Sequence, residues 1–189
     1  LYPFPNSCSY TSFSSFFDNF YCLLINSFQC LSNTFHEIKK MNNDTIRHIE
    51  LETHQTKDIS DGHVNGSLTV IWRDWDKILE VEPKMVYVSS VNPGEIKGPH
   101  LHTKRDSYFV CIRGKVIFVA KDEKGKYLEI ESSEKKPVLI QVPKNFISAH
   151  INPTNEVSTI LTLANPAWTP NEDEMKNVTF DDYDWNKWK

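Results

Sequence analysis

His100 and His102 are the residues of this chain whose type and spacing most directly suggest chemistry. In a β-strand, side chains at positions i and i+2 point to the same face, so the two imidazole rings would share one side of a sheet. An imidazole changes charge near neutral pH and can therefore accept or return a proton during a reaction. The pair predicts a reaction chamber on that face, and the alternative is two hydrogen-bonded rings that serve no chemistry.

The elements that must position this pair are short β-strands, because apolar, β-branched and aromatic residues recur in brief runs between turn residues. Several short strands at regular spacing predict a barrel or a sandwich. Residues 122–126, which include Gly125, predict a hairpin turn. A helical turn or two is allowed only at residues 74–82. The predicted strands are residues 66–75, 84–91, 107–112, 115–122, 127–132, 137–142 and 158–164.

Side-chain alternation extends the prediction to the strand that follows the histidines. If both rings point into a barrel, Ser107, Phe109 and Cys111 should also point inward, because alternate residues fill the interior of a small barrel. Tyr108 should then point away from the histidines.

Bulk composition excludes some classes of function. The net charge is −4 and the sequence pI is about 6.0, so no basic surface is available for nucleic acid. No apolar run is long enough to predict a membrane span. Of the four cysteines, three lie in the first 30 residues, so there is no disulfide framework, which predicts a reducing compartment, the cytoplasm.

Composition changes near residue 40. Residues 1–38 contain no Lys or Arg, and the first Met is Met41. We expect residues 1–40 to be a disordered upstream extension and residues 41–59 to be a lead-in segment. Residues 60–189 should form the β-barrel domain with a C-terminal extension, whose acidic residues 171–188 are too rich in aromatic side chains to be solvated.

The spacing around the two histidines resembles the first motif of the cupin superfamily. Gly94 is followed by five residues, the His-x-His pair, four residues, Ser107, six residues and Gly114; the Ser107 position commonly holds a glutamate in cupins. Residues 143–150 resemble the second motif, with Asn145 at its glycine position and Ser148 at its histidine position. The resemblance implies an all-β protein with a cupin-type β-barrel, a jelly-roll-like double-stranded β-helix.

Two groups of sugar-nucleotide enzymes are similar within that superfamily. Residues 93–104 and 107–114 resemble the 3,4-ketoisomerases that act on dTDP-4-keto-6-deoxyglucose. Residues 165–185 are similar to proteins grouped with dTDP-4-dehydrorhamnose 3,5-epimerase. The resemblance implies an isomerase that moves a proton next to the 4-keto group of a nucleotide-linked deoxysugar. It also implies a homodimer, and it implies no metal and no other cofactor.

The resemblance also implies roles for individual residues. His100 would be the base, and His102 would shuttle the proton or orient the substrate. The position of the epimerases' acid, a tyrosine, holds Thr162 in this chain, so the usual acid is missing and Tyr87 or Tyr108 could replace it. The residues expected to bind substrate are Lys97, Arg113, Tyr87, Ser107, Ser148 and His150, with Lys97 or Arg113 contacting the enolate or a phosphate.

Two other functions remain open at this point. A cupin could hold a sugar or nucleotide without turnover, and the loss of the acid tyrosine favours this alternative. A metal-dependent cupin enzyme would add a carboxylate and a third histidine to the pair. Asp106 and His150 are the nearest candidates, but neither falls in the required register.

Overall fold

The structure, a computed structural model, describes residues 45–75, 77–122 and 124–189. The predicted extension at residues 1–40 lies outside the described residues. In chain order the strands are β1 (Arg47–Glu50), β2 (Thr53–Lys57), β3 (Val64–Thr69), β4 (Met85–Val91), β5 (Ile96–His102), β6 (Asp106–Arg113), β7 (Lys115–Lys121), β8 (Tyr127–Ser133), β9 (Val138–Val142), β10 (Ile147–Ile151), β11 (Ser158–Asn165) and β12 (Met175–Asn177), followed by a 3-10 helix at Trp185–Trp188.

The strands form two five-stranded antiparallel sheets and a separate hairpin. The first sheet has the order β1-β9-β6-β11-β4, and the second has the order β12-β5-β10-β7-β8. Strands β2 and β3 pair only with each other among the described residues. Strands β6 and β7 belong to different sheets, so the chain crosses from one sheet to the other at Gly114, whose φ is 73°.

The space between the two sheets holds the main hydrophobic core, to which both sheets contribute. The predicted alternation is confirmed here, because Phe109 and Cys111 lie in this core while Tyr108 packs on the outer face of the first sheet. The buried residues of the inner core are Val91, Phe109, Cys111, Val116, Phe118, Ala120, Val138, Ile140, Val142 and Ile160.

Each sheet is also covered on its outer face. Leu79 packs against Tyr108 and its neighbours on the first sheet. On the second sheet, Phe180 and Tyr183 cover the outward residues of β7 and β10, with Trp185 and Trp188 packed beside them. The aromatic C-terminal segment therefore packs against the sheet, as its composition predicts.

Two sequence predictions fail between β3 and β4. The strand predicted at residues 66–75 ends at Thr69, and the described residues of 74–82 contain no helix. This stretch instead crosses the outer face of the first sheet as irregular chain, where Ile71, Ile78 and Leu79 pack. Their apolar side chains are explained by this packing and not by strand or helix periodicity.

The predicted hairpin between β7 and β8 is confirmed. Lys121 pairs with Tyr127, and the Gly125 amide donates to the Asp122 carbonyl at 2.9 Å. The lead-in residues 41–59 contribute β1, which pairs with β9 at the edge of the first sheet. In the part of the chain that is described, no helix is long and apolar enough to cross a bilayer.

Candidate active site

Strand β5 carries both histidines on the face that looks between the sheets. Ser148 of β10 stands opposite His100, and cross-strand partners share a face. On the same side of β10, the ring of His150 lies 5.5 Å from that of Phe109 and 5.6 Å from that of Phe118, both in the inner core. The inward direction predicted for His100 and His102 thus follows from the pairing of β5 with β10.

A local irregularity at Gly98 allows the backbone of β5 to lie close to that of β10. Gly98 has a φ of 96°, and a Cβ there would lie 2.9 Å from the carbonyl oxygen of Ser148 and 3.3 Å from Cα of Ala149. The β5–β10 register shifts between Ser148 and His150, opposite this glycine. Only a residue without a side chain fits so close to the neighbouring backbone.

The turn before β10 also depends on a left-handed residue. Asn145 has a φ of 68°, a conformation that asparagine tolerates better than most residues. Its amide donates to the carbonyl of His102 at 2.7 Å, which ties this turn to the end of β5. Asparagine therefore performs the conformational role of a glycine at this position.

His100 has a neutral hydrogen-bond partner. Its Nδ1 lies 3.0 Å from Oδ1 of Asn177, which faces it across the β5–β12 pair. An amide oxygen can only accept, so Nδ1 carries the proton and donates it. The other ring nitrogen, Nε2, then keeps a free lone pair and can act as a base.

His102 has a charged partner. Its Nδ1 lies 3.1 Å and 3.2 Å from the two carboxylate oxygens of Glu174. The same carboxylate forms an ion pair with Arg105, and both side chains are buried, at 6% and 7% exposure. A carboxylate can only accept, so a hydrogen bond at this contact requires Nδ1 of His102 to carry the proton, as in His100.

Electrostatics keep the His102 ring neutral. Burial, followed by the charges of Arg105 and His100, lowers its pKa to about 4. The Glu174 carboxylate on its own would favour the protonated ring, but Arg105 already balances that negative charge. At neutral pH His102 is therefore unprotonated, and the same burial makes it a weaker base than a solvated histidine.

Three buried polar atoms on the inner faces have no hydrogen-bond partner within the described residues. They are Oγ of Ser107, Oγ1 of Thr162 and Nδ1 of His150. Burial, followed by the charges of Lys97 and His100, lowers the pKa of His150 to about 3, so this ring is neutral as well. Unpaired buried polar atoms are unfavourable, and a ligand rich in hydroxyl groups would satisfy them.

Sequence similarity identifies the family of this fold and site. Residues 47–183 match the family model described as FdtA: WxcM-like, C-terminal. The chain belongs to this family. No curated protein matches the chain in sequence.

Solved structures with the same fold include several sugar-nucleotide enzymes. A dTDP sugar isomerase from Desulfovibrio desulfuricans G20 is 14% identical with a TM-score of 0.65, covering 76% of this chain and 92% of that one. The dTDP-4-dehydrorhamnose 3,5-epimerase from Sulfolobus tokodaii is 16% identical with a TM-score of 0.62, covering 78% and 83%. QdtA, a sugar 3,4-ketoisomerase from Thermoanaerobacterium thermosaccharolyticum in complex with TDP, is 20% identical with a TM-score of 0.55, covering 69% and 86%.

The chain is much shorter than another structural neighbour. It spans 29% of the capsular polysaccharide assembling protein CapF from Staphylococcus aureus, at 19% identity and a TM-score of 0.48 over 51% of this chain. The structures of similar length, together with the two facing antiparallel sheets, confirm the predicted cupin-type fold.

Two further predicted substrate ligands of this FdtA-family chain lie near the histidines. Lys97 is opposite His150, its charge contributes to the lowered pKa of that ring, and its Nζ lies 3.4 Å from the carbonyl oxygen of Ser90. Tyr87 pairs with Thr162 on the inner face of the first sheet. Tyr87 also lies near Arg105, because the Coulombic effect of an ionised Tyr87 partly offsets the lowering of the Arg105 pKa by burial.

Arg113 does not lie with the histidine pair. It is exposed at the end of β6 next to the crossing at Gly114, whereas Ser107 and Asp106 stand at the opposite end of that strand. Six residues of strand separate Arg113 from Ser107 by about 20 Å. The conformation of the chain therefore separates a residue that the motif spacing had grouped with the site.

The metal-ligand candidates are also dispersed. Oδ1 of Asp106 accepts a hydrogen bond from the Lys144 amide at 3.0 Å, so this carboxylate supports a turn. Among the described residues, three potential ligands approach one another only at Asp58, Asp61 and His63, in the turn between β2 and β3. That turn does not include the histidine pair.

Sequence reasoning missed Arg105, Glu174 and Asn177. Glu174 and Asn177 lie in the acidic C-terminal stretch, which adds the three-residue strand β12 beside β5. A strand this short has no periodicity of its own. Their spacing of three residues gives no signal until the pairing with β5 is known.

Proposed function

We propose that the chain is an isomerase that acts on a nucleotide-linked 4-keto-6-deoxysugar by metal-independent proton transfer next to the ketone. One observation carries the proposal: two inward-facing histidines on β5 have Nδ1 engaged by Asn177 and Glu174, which leaves both Nε2 atoms available for proton transfer.

The chemistry requires a base of moderate strength and a partner for the enolate. A hydrogen next to a sugar ketone is acidic because the enolate spreads its charge onto oxygen. A neutral imidazole can remove this hydrogen, and His100 takes this role. Lys97 supplies the nearby positive charge that stabilises the enolate oxygen or contacts a phosphate.

A 3,4-ketoisomerase fits the site better than an epimerase. His102 lies on the same face as His100, so it can return the proton at the neighbouring carbon from the same side of the ring. Inversion needs an acid on the opposite side, and Thr162 has no titratable group there. The absence of a metal from the proposed mechanism has a sequence basis, since Ser107 and Ser148 stand where metal cupins carry a glutamate and a histidine.

An epimerase is the second candidate, and the position of Tyr87 favours it. This tyrosine lies beside Thr162 on the inner face of the first sheet, next to the positive charge of Arg105. It could donate a proton from the side opposite His100 in place of the missing tyrosine.

The proposed substrate class is supported by the inner polar groups and by the family resemblance. Ser107, Ser148 and His150 would hydrogen-bond sugar hydroxyls, which would satisfy the unpartnered atoms of Ser107 and His150. The similar solved proteins include a dTDP sugar isomerase and a ketoisomerase bound to TDP. The nucleotide-linked sugar is therefore the proposed small-molecule partner.

Product analysis distinguishes these possibilities. The protein is incubated with dTDP-4-keto-6-deoxyglucose, and proton NMR locates the ketone and the configuration of each carbon. Movement of the ketone to carbon 3 supports the ketoisomerase, and Tyr87→Phe should leave it intact. Inversion at carbon 3 or 5 that disappears in Tyr87→Phe, but not in a Tyr127→Phe control, would favour the epimerase instead. TDP binding without any turnover would indicate a binding module.

We also propose a homodimer in the cytoplasm. Strand β4 is an edge strand of the first sheet, and its outward Val86 and Val88 are 58% and 59% exposed. Pairing with a second copy would cover this edge. The cytoplasm is supported by the cysteine content alone.

A further inference from the structure

The Glu174 carboxylate is unusually well fixed for a residue so near the C-terminal end of the described chain. Its backbone carbonyl accepts hydrogen bonds from the amide and the hydroxyl of Thr103, at 2.8 Å and 3.1 Å. Its side chain is paired with Arg105 and is 6% exposed. Thr103 and Arg105 both lie in the loop after β5, so this loop holds Glu174 by its backbone carbonyl and by its carboxylate.

A purely structural ion pair does not account for this arrangement. A buried Arg–Glu pair has to compensate for the loss of hydration of both charges, and it commonly gives little net stability. Here both carboxylate oxygens also lie within 3.2 Å of Nδ1 of His102. The pair is thus directed at one of the two rings that look into the interior.

The two histidines are oriented by one segment but by different chemistry. Residues 174–177 supply a carboxylate to His102 and a neutral amide to His100. A carboxylate stabilises a ring that becomes positively charged more strongly than an amide does. In this site Arg105 balances the carboxylate and the pKa of His102 is lowered to about 4, so Glu174 orients the ring and does not store a proton on it.

We propose that Glu174, held by Arg105, is a positioning residue for His102: it fixes the ring with Nδ1 protonated and directs Nε2 toward the substrate. With Nδ1 occupied in this way, Nε2 is the ring nitrogen left to take up a substrate proton. The role of His102 in proton transfer rests on the proposed function, whereas the fixed tautomer does not.

The tautomer can be measured without any substrate. In long-range proton–nitrogen NMR of the full chain at pH 7, the His102 signals are assigned by their loss in His102→Gln. We expect Nδ1 at the shift of a protonated ring nitrogen and Nε2 at that of an unprotonated one. An unprotonated Nδ1 in the wild-type protein would overturn the proposal, and this result needs no folded variant.

Variants then test the role of Glu174 itself. Glu174→Asp keeps a charge for Arg105 but shortens the side chain by one methylene, so the Nδ1-protonated form should give way to a mixture of tautomers. Glu172→Gln is the matched control, because Glu172 lies two residues away in an exposed ion pair with Lys104. It should leave the His102 spectrum unchanged. A His102 spectrum in Glu174→Asp identical to that of the wild type would contradict the proposal.

Activity adds a second, separable readout. If the chain isomerises a 4-keto sugar, Glu174→Asp should lower kcat about 10- to 100-fold with little change in KM, and Glu172→Gln should change neither. An unchanged kcat in Glu174→Asp would remove the catalytic part of the proposal. Absence of turnover in the wild-type protein with an Nδ1-protonated His102 would instead refute the proposed function and leave the positioning role intact.

Discussion

At the scale of single residues, three inward-facing histidines have three different environments. His100 has a neutral amide partner, His102 has a carboxylate balanced by Arg105, and His150 lies between two phenylalanine rings with Nδ1 unpaired. These environments agree with the roles proposed for the three rings, which are base, proton shuttle and neutral binding group. The neighbours of each ring decide which role it can have.

The burial of His150 predicts a pH-dependent stability. Its pKa is lowered to about 3 in the folded protein, whereas a histidine in the unfolded chain titrates near 6.5. Below about pH 6.5 the unfolded state takes up a proton that the folded state does not, so this ring should reduce the free energy of unfolding by up to about 1.4 kcal/mol per pH unit.

Chemical denaturation between pH 6 and pH 4 measures this contribution. His150→Leu should flatten the pH dependence, because leucine keeps the apolar contacts with Phe109 and Phe118 and cannot titrate. His48→Gln, at an exposed position on β1, is the control and should leave the slope as it is in the wild type. Equal slopes in wild type and His150→Leu would show that this ring is protonated in the folded state.

The histidine pair could be predicted from the sequence because its geometry is local. Spacing by two residues in a strand determines that both rings share a face. Their partners could not be predicted, because Glu174 is 72 positions and Asn177 is 77 positions away along the chain. Nothing in the local sequence indicates that the C-terminal stretch pairs with β5.

At the scale of elements, β5 depends on a glycine at its irregularity. Replacement of Gly98 by alanine would place Cβ against the backbone of Ser148 and Ala149 at a φ of 96°. Gly94 has a positive φ of 69°, but a Cβ there would meet nothing within 4 Å. Comparing alanine variants at these two positions therefore separates the cost of the left-handed backbone from the cost of crowding by the added methyl group.

Gly94→Ala should cost about 1–2 kcal/mol through its left-handed conformation alone. Gly98→Ala should cost about 1–3 kcal/mol more, since β5 must move away from β10 or distort. Urea unfolding of both variants measures the difference, and the activity of Gly98→Ala should fall because His100 moves with the strand. Equal stability of the two variants would show that β5 can absorb the added methyl group.

Strands could be predicted from the sequence where side-chain alternation or turn residues alone determined them. Alternation placed Phe109 and Cys111 inward and Tyr108 outward, and turn residues located the β7–β8 hairpin. The stretch after β3 could not be predicted in this way. Its apolar residues Ile71 and Leu79 cover the outer face of the first sheet without regular structure, so neither strand nor helix periodicity describes them.

At the scale of the whole molecule, the two sheets enclose the site, and chain segments cover their outer faces. Strand β4 is the exception, since its outward valines stay exposed and no other described strand pairs along its free edge. Covering this edge by a second copy would leave the inner faces with their histidines undisturbed.

If the exposed edge at β4 forms the proposed dimer, charged residues at that edge should disrupt it. Light scattering coupled to size exclusion should give a dimer mass for the wild-type protein and a monomer mass for the double variant Val86→Asp/Val88→Asp. Val157→Asp, at an exposed valine in the loop before β11, should remain dimeric. A monomer mass for the wild-type protein at all concentrations tested would contradict the proposed homodimer.

The removal of a hydrogen next to a ketone by His100 is tested most directly by solvent exchange. A dTDP-4-keto-6-deoxysugar is incubated in deuterium oxide with the wild-type protein, with His100→Gln, and with the exposed-site control His54→Gln. We expect deuterium at the carbon next to the ketone with the wild type and the control, and an exchange rate lower by a factor of about 100 or more with His100→Gln. Wild-type exchange no faster than that of His100→Gln would contradict the account.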